Sequence, residues 1–554
     1  MKKITRRQVL KGGVISATGL VIPGSVLLLP LLQIRAAESV TSPAVRAFYV
    51  PLPIPSVLKP VRSDTEADYY EITQKPGIAH ILPGHSTPIW GYNGIFPGPT
   101  IEARSGRKVI VRQINELPVP VSTHLHGGIT PPESDGHAMD FILPKDPTPF
   151  QASLTNGQMR QFMSSSGLGR SLHMRMQQTK EYVYPNIQRA SIHWSHDHRM
   201  DYTGPQIYRG LAGFYLIRDE IEDALPLPKG DHDIPLMITD RTFNADGSFF
   251  YPSIDPTLTT TPGVQGKYGY GMLGDTILVN GAVQPFLEVS TANYRFRLLN
   301  ASNARIYQLE LSSQQPFLQI GSDGGLLPAP AKRQTLRIGP AERFDVVIDF
   351  AKSPVGSQII LKNVLGTGST ADIMRFDVVR QTKDESRVPA ILASFEPLDP
   401  IKASITRSFR FTQGPGMWLI NANYFDPNRV DATPRLGATE IWEFFSDNNH
   451  TIHMHLVNFQ VLSRGGRAPD PEDAGYKDTI LLRAFETARV ITRFEGYRGL
   501  YMFHCHNTEH EDMRMMGECA HRRTLHFYPY HWGVDRISVP SFTNRCLGGR
   551  SDAG

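Results

Sequence analysis

The sequence predicts an all-β chain of three related β-sandwich domains, on three observations. Forty-seven glycines and 43 prolines interrupt a 554-residue chain with few long helical patterns, which favours short strands joined by many turns. The length is too great for one ordinary core and sets roughly two to four domains as the starting expectation. A loose internal repeat then selects three. "YNGIFPGPTIEARSGRKVIVRQINE" (92–116) runs from Asn-Gly through a proline turn and a short strand holding Glu102 into an alternating strand ending near Asn115. "VNGAVQPFLEVSTANYRFRLLNAS" (279–302) repeats that order, with Glu288 and Asn300 at the matching places. "INANYFDPNRVDATPRLGATEIWEFFSDN" (420–448) is a looser third copy. The copies are unequally spaced, so they mark separate sandwiches rather than a solenoid.

Taken in order, the chain opens on "MKKITRRQVLKGGVISATGLVIPGSVLLLPLLQIRAA" (1–37). A basic start with Arg6 and Arg7, an apolar run and small residues at Ala36 and Ala37 resemble a twin-arginine signal peptide. The competing reading is a membrane anchor over 13–32, which Pro23 and Pro30 weaken, and no other run approaches spanning length. The expected destination is the periplasm, the cell envelope or the medium, by way of the twin-arginine export machinery, with no stable membrane span after cleavage. Residues 1–36 hold Lys2, Lys3, Arg6, Arg7, Lys11 and Arg35 and no acid, so without these six charges the net +4 becomes −2. The basic balance thus belongs to the leader and gives no support to a nucleic-acid partner.

The first domain is expected at 45–220, with a polar, Gly/Ser-rich insertion at 151–178 that includes Met159, Met163, Met174 and Met176 and reads as a long loop. The charged, proline-bearing stretches 218–231 and 381–400 suit linkers, placing a second domain at 221–390 and a third at 400–554. Val109–Ile114 and Tyr294–Leu299 are typical of the expected short strands. Only Cys505, Cys519 and Cys546 are present, and if Cys505 binds a metal the other two are free to pair in an oxidising compartment.

Four segments concentrate the histidines: "STHLHGG" (122–128), "HWSHDHRM" (193–200), "NHTIHMHLVNF" (449–459) and "FHCHNTEH" (503–510), each with a His-x-His. On a strand, residues two apart share a face, so each pair presents two imidazoles together. His453 and His455 share one face, with His450 on the other. His504 and His506 share a face, with Cys505 on the opposite one. That partition predicts two metal centres on the two sides of one sheet region. One gathers His124, His126, His196, His198, His453, His455, His504 and His506, too many for a single tetrahedral zinc. The other has His450 and Cys505, with His510 and Met515 on the following turn. Two imidazoles, a thiolate and a thioether suit a blue-copper electron-transfer site. His193 does not share the face of His196 and reads as a hydrogen-bonded or surface histidine. His80, His85, His137, His173, His521, His526 and His531 lack paired spacing.

The four His-x-His segments in this order, with His-Cys-His and a downstream Met, resemble the multicopper oxidases over residues 45–530. Within that family, "THLHGG…SDG", "WSHDHRM…GLAGFYLIRD" and "HCHNTEHEDMRMM" are similar to the spore-coat laccase and bilirubin-oxidase branch. The resemblance implies three cupredoxin-like domains and four copper ions. It implies a type 1 copper on His450, Cys505 and His510 with Met515 axial. It implies a type 2 copper on His124 and His453, and a type 3 pair on His126, His196, His198, His455, His504 and His506. The cluster would lie between the first and third domains, with no ligand from the second.

The implied activity is laccase-like: one-electron oxidation of phenols, aromatic amines or similar reductants, coupled to four-electron reduction of O2 to water. His510 would receive the electrons, Cys505 and its histidine neighbours would pass them on, and Asp135 and Glu511 would supply protons. A metal-ion oxidase acting on Cu(I), Mn(II) or Fe(II) is the alternative in the same fold. Against it, residues 351–440 hold only Met374 and Met417, where copper-tolerance relatives carry a Met-rich insertion. A copperless structural or cell-division homologue is disfavoured by the complete ligand set, and a two-domain copper nitrite reductase by the length and the number of histidines.

Overall fold

The computed structural model describes residues 40–146 and 175–521. The expected signal peptide, most of the 151–178 insertion with Met159, Met163 and Met174, and Cys546 with its pairing to Cys519 lie outside the described residues. Cys519 itself is buried and forms no disulfide among the described residues.

Three pairs of sheets follow one another along the chain. In the first, a five-stranded sheet containing Ala67–Ala79 and Lys108–Asn115 packs on a four-stranded one ordered Gly98–Arg104, Ala212–Arg218, Ser191–Asp197, Thr123–His126. Tyr70, Val109 and Val111 from one sheet meet Ile101, Tyr215 and Ile217 from the other. In the second, an eight-stranded sheet around Asp233–Phe243 and Asn293–Asn300 packs on a five-stranded sheet containing Phe286–Ser290 and Asp372–Arg380, enclosing Phe296, Phe344, Leu361 and Phe376. In the third, a five-stranded sheet with Thr406–Gly414 and Thr439–Ser446 covers a four-stranded one ordered Thr479–Leu482, His450–Met454, Gly499–Cys505, Met516–His521. Phe409, Trp442 and Phe444 pack there against Ile452, Phe503 and Cys505. Aromatic and β-branched residues facing inward at every second position produce these layers.

The repeat seen in the sequence has a physical basis. Asn115 and Asn300 each end the alternating strand, fully buried. Asn115 Oδ1 accepts from the Leu117 N–H at 2.8 Å, and its amide donates to the carbonyls of Val119 and Ile142. Asn300 Oδ1 accepts from the Ser302 N–H at 3.0 Å, and its amide donates to Arg305 and Ile338. One side chain satisfies the backbone groups freed where the strand turns, in both copies. Ser446 holds the corresponding place in the third copy, where its hydroxyl donates to the Asn448 carbonyl.

One expected element differs. The 151–178 insertion is not loop to its end, because Arg175–Gln177 forms a strand paired in parallel with Asp140–Ile142. The Leu143 N–H donates to the Gln177 carbonyl at 2.7 Å, so the ladder is set by backbone pairing that periodicity over three residues does not reveal.

Strand Asn293–Asn300 turns Tyr294, Phe296 and Leu298 into the core and Arg295 and Arg297 the other way, into a buried ionic cluster. Arg297 Nε reaches Asp233 Oδ1 at 2.8 Å, Arg295 Nε reaches Asp345 Oδ1 at 2.9 Å, and both guanidiniums bind Glu222 Oε1 at 2.5 Å. Burial works against the Glu222 charge, but Arg297, Arg295 and Arg218 hold its carboxyl down to about 2. A depressed folded-state carboxylate contributes stability that is complete above its unfolded value and is lost as pH falls through the folded one. Wild type should therefore lose stability between about pH 4.5 and 2 through this group. Glu222→Ala, which strands two buried arginines, should cost about 3 kcal/mol at neutral pH and flatten that acid limb in thermal melts.

Candidate metal centres

Two neighbouring strands carry the last sandwich's histidines. His450–Met454 pairs antiparallel with Gly499–Cys505, setting His453 opposite His504 and Ile452 opposite Cys505. In the first sandwich, Thr123–His126 pairs with Ser191–Asp197 and sets His124 opposite His196. Strand parity then divides the side chains as expected. Cys505 Sγ lies 3.3 Å from His450 Nδ1 and 3.7 Å from His510 Nδ1, and the two imidazole nitrogens are 3.1 Å apart.

His510 is brought to this site by a short helix, Thr508–Asp512, capped by Asn507, whose Oδ1 accepts from the His510 N–H. Met515 is buried beside it: its N–H donates to the His510 carbonyl at 3.0 Å, and its carbonyl accepts from the Cys505 N–H at 3.1 Å. Burial pushes the Cys505 thiol up to about 12, so the free thiol is protonated and only a bound metal would hold it as thiolate. Asp447 Oδ1 is 3.3 Å from His450 Nε2 and fixes that ring's outer edge.

The other face gathers all eight remaining paired histidines, each buried. His198 and His455 each bring Nε2 within 3.2 Å of His504 Nε2, and His124 Nε2 is 3.4 Å from His453 Nε2. His126 stacks on His453 at 3.6 Å and His124 on His455 at 3.8 Å. Triads able to share one ion include His124–His126–His196, His124–His453–His455 and His198–His455–His504. Burial holds His504 down to about 3 and His198 to about 4, and pushes His124, His126, His196, His455 and His506 well down too. These are neutral imidazoles at physiological pH, the state a metal requires.

Buried acids and carbonyls orient the rings through Nδ1. The Asp135 carbonyl is 2.6 Å from His124 Nδ1, and its carboxylate Oδ2 is 2.7 Å from His455 Nδ1. The Asp478 carbonyl takes His453 Nδ1 at 2.9 Å, and that of Asp197 takes His196 Nδ1 at 2.8 Å. Glu511 lies between two rings, 3.5 Å from His198 Nδ1 and 3.3 Å from His504 Nδ1, and its Oε1 accepts from Thr203 Oγ1 at 2.7 Å. Both acids singled out in the sequence thus touch imidazoles of the cluster rather than solvent. Burial raises the carboxyl pKa of each.

The donor set fits copper. In this buried site, both ring nitrogens of His506 and Nε2 of His196 have no hydrogen-bond partner, which is costly unless a metal uses them. The thiol with two imidazoles and a neighbouring Met provides a second, softer set.

Sequence reasoning missed Asp478 and Arg343. Asp478 Oδ1 lies 3.1 Å from His126 Nε2, and Arg343, from the second sandwich, donates to the same oxygen at 2.7 Å. Their only trace is one charge among neighbouring charges in "YKDTILL" and in "AERFDVV", with no spacing to mark it. Of the two readings open for His193, hydrogen-bonded or surface, the first holds: it is buried, with Nδ1 3.2 Å from the His126 carbonyl and Nε2 2.6 Å from Ser191 Oγ.

Two family models described as multicopper oxidase match the chain, over residues 75–159 and 395–524. A laccase from Bacillus subtilis (strain 168) is 39% identical, over 84% of this chain and 96% of its own length. A bilirubin oxidase from Albifimbria verrucaria is 36% identical, over 86% of this chain and 81% of its own. A solved multi-copper oxidase from Pediococcus acidilactici aligns with a TM-score of 0.74 at 30% identity, covering 89% of this chain and 94% of the other.

Proposed function

This chain is a laccase-like member of the multicopper oxidase family with three cupredoxin domains, and from that premise we propose that it oxidises phenols, aromatic amines or similar organic reductants and reduces O2 to water with four copper ions. His450, Cys505, His510 and Met515 would hold the type 1 copper. His124 and His453 would hold type 2, and His126, His196, His198, His455, His504 and His506 the type 3 pair. Bound copper supplies one-electron redox change at the first site and O2 reduction at the cluster. The observation that carries this reading is the Cys505 thiol 3.3 Å from His450 Nδ1, on a strand whose flanking residues His504 and His506 belong to the imidazole cluster. One covalent segment therefore joins the two centres.

The chain's own groups do the rest. The Asp135 carboxylate and carbonyl fix His455 and His124. Glu511, beside His198 and His504, holds a proton on its carboxyl and delivers it where O2 is reduced. Glu511→Gln keeps the shape and removes the transferable proton. It should slow O2 reduction while leaving the blue absorption of the type 1 site intact, and unchanged turnover with saturating reductant would exclude Glu511 from the chemistry. Purified, copper-replete protein should be blue, hold about four coppers per chain and consume O2 with a phenol. Colourless protein would overturn the proposal. Comparing a phenol, bilirubin, Cu(I) and Mn(II) in steady state separates organic reductants from metal ions.

The leader supports export by the twin-arginine route to the envelope or beyond. Full export of a chain carrying Arg6→Lys and Arg7→Lys would contradict that route.

A further inference from the structure

His510 does not meet solvent: it is 2% exposed, and its ring lies under the indole of Trp418, with centroids 3.7 Å apart and planes inclined by 27°. Trp418, on strand Met417–Ile420, is itself only 3% exposed and also meets His450 edge to face at 5.2 Å. Its Nε1–H donates to the Gly269 carbonyl at 3.0 Å, which fixes the indole in this pose. The next residue, Tyr270, presents its ring to Trp418 at 5.7 Å and 84°, and is 59% exposed. Its hydroxyl is tied to the Gln413 side chain at 2.9 Å, and its carbonyl accepts from Asn507 Nδ2 at 3.1 Å, the residue that caps the helix bearing His510. A continuous aromatic column therefore runs from solvent through Tyr270 and Trp418 to both imidazoles of the Cys505 site.

Resting on the copper reading above, we propose that Trp418 is the electron relay into the type 1 site and that Tyr270 is the face on which an aromatic reductant stacks. A π-stacked indole gives an orbital path to His510, while its bulk keeps reductant and water off the imidazole edge. Tyr270 offers a flat, amphipathic surface that suits phenols and aromatic amines through offset or edge-to-face stacking. The step balances simply. A docked phenol gives one electron through Trp418 to the Cys505 centre and its hydroxyl proton to water, leaving as a phenoxyl radical. Four such transfers match the four electrons consumed by O2 at the cluster.

The test follows bleaching of the blue band by a simple phenol under argon, which isolates electron delivery from O2 chemistry. The absorption spectrum and midpoint potential are recorded for every variant. Trp418→Leu should keep both but bleach about ten-fold more slowly, or worse, while Trp418→Phe, which retains a ring, should recover much of the rate. Tyr270→Ala should lower the second-order rate constant by weakening the docking of the phenol, and Tyr270→Phe should restore it. Bleaching of Trp418→Leu as fast as wild type, or faster, would show that the indole is a cover and overturn the relay. Should Trp418→Leu fail to fold, the exposed Tyr270 pair decides alone, and an unchanged rate in Tyr270→Ala overturns the docking face. A wild type without a blue band fails at the copper reading, before any variant is compared.

Discussion

Cys505→Ser is expected to abolish the blue absorption, lower bound copper from about four to three per chain, and cut turnover with phenols by ~10³-fold or more, about 4 kcal/mol on the activation scale. The serine hydroxyl is close in shape but neutral and hard. The site would be left with two imidazoles and a thioether and no anionic donor. The cluster should survive, because His504 and His506 point to the other face of the strand and the backbone bond from residue 505 to the Met515 carbonyl is unaffected. Reoxidation of chemically reduced cluster by O2 should therefore persist. Copper counting and electron paramagnetic resonance read the two centres separately, which a stability measurement alone does not, since a buried hydroxyl costs about 1–3 kcal/mol by itself. Four retained coppers with an intact blue band would remove Cys505 from the site.

The division into two centres was legible because strands have a period of two, and His450–Met454 and Gly499–Cys505 are strands. Odd and even positions of six residues, His450, His453, His455, His504, Cys505 and His506, carried the division. The repeated Asn115 and Asn300 were visible for a similar reason: each makes the same local bonds, so local sequence sufficed. Asp135 and Glu511 needed the family resemblance, since an acid in "ESDG" or "EHED" carries no spacing signal; their partners, His455 at 320 positions and His198 at more than 300, come from packing alone. Trp418 was illegible because an aromatic residue on a strand is usually core, and only the neighbouring Tyr270 and His510 distinguish it. The ladder at Arg175–Gln177 escaped because three residues hold no period.

The charges behind the cluster were hidden most deeply, and they bear the other large effect. Arg343→Met should destabilise the protein by about 3–5 kcal/mol and reduce copper at the cluster while leaving the blue site in place. Arg343 is fully buried where all three sandwiches meet: Nε donates to the Ile192 carbonyl at 2.9 Å, and Nη1 and Nη2 grip the two oxygens of Asp478. Burial opposes the Asp478 charge, yet Arg343 holds that carboxyl well below the ordinary range. Removing the guanidinium leaves a carboxylate with its oxygen 3.1 Å from His126 Nε2 and its backbone carbonyl on His453 Nδ1. The nearby Lys477 is already committed to Asp323 at 3.1 Å and Glu342 at 3.3 Å. Asp478 would then move or take up a proton, and either outcome disturbs the carboxylate contact that orients His126. The double variant Arg343→Met, Asp478→Asn removes both charges together and should recover much of the lost melting temperature, giving a coupling energy above ~1 kcal/mol. Strict additivity of the two variants would dissolve the pair as a unit. A positive coupling together with copper loss confined to the cluster would mean that the second sandwich, which carries none of the expected ligands, sets the geometry of a site built by the other two.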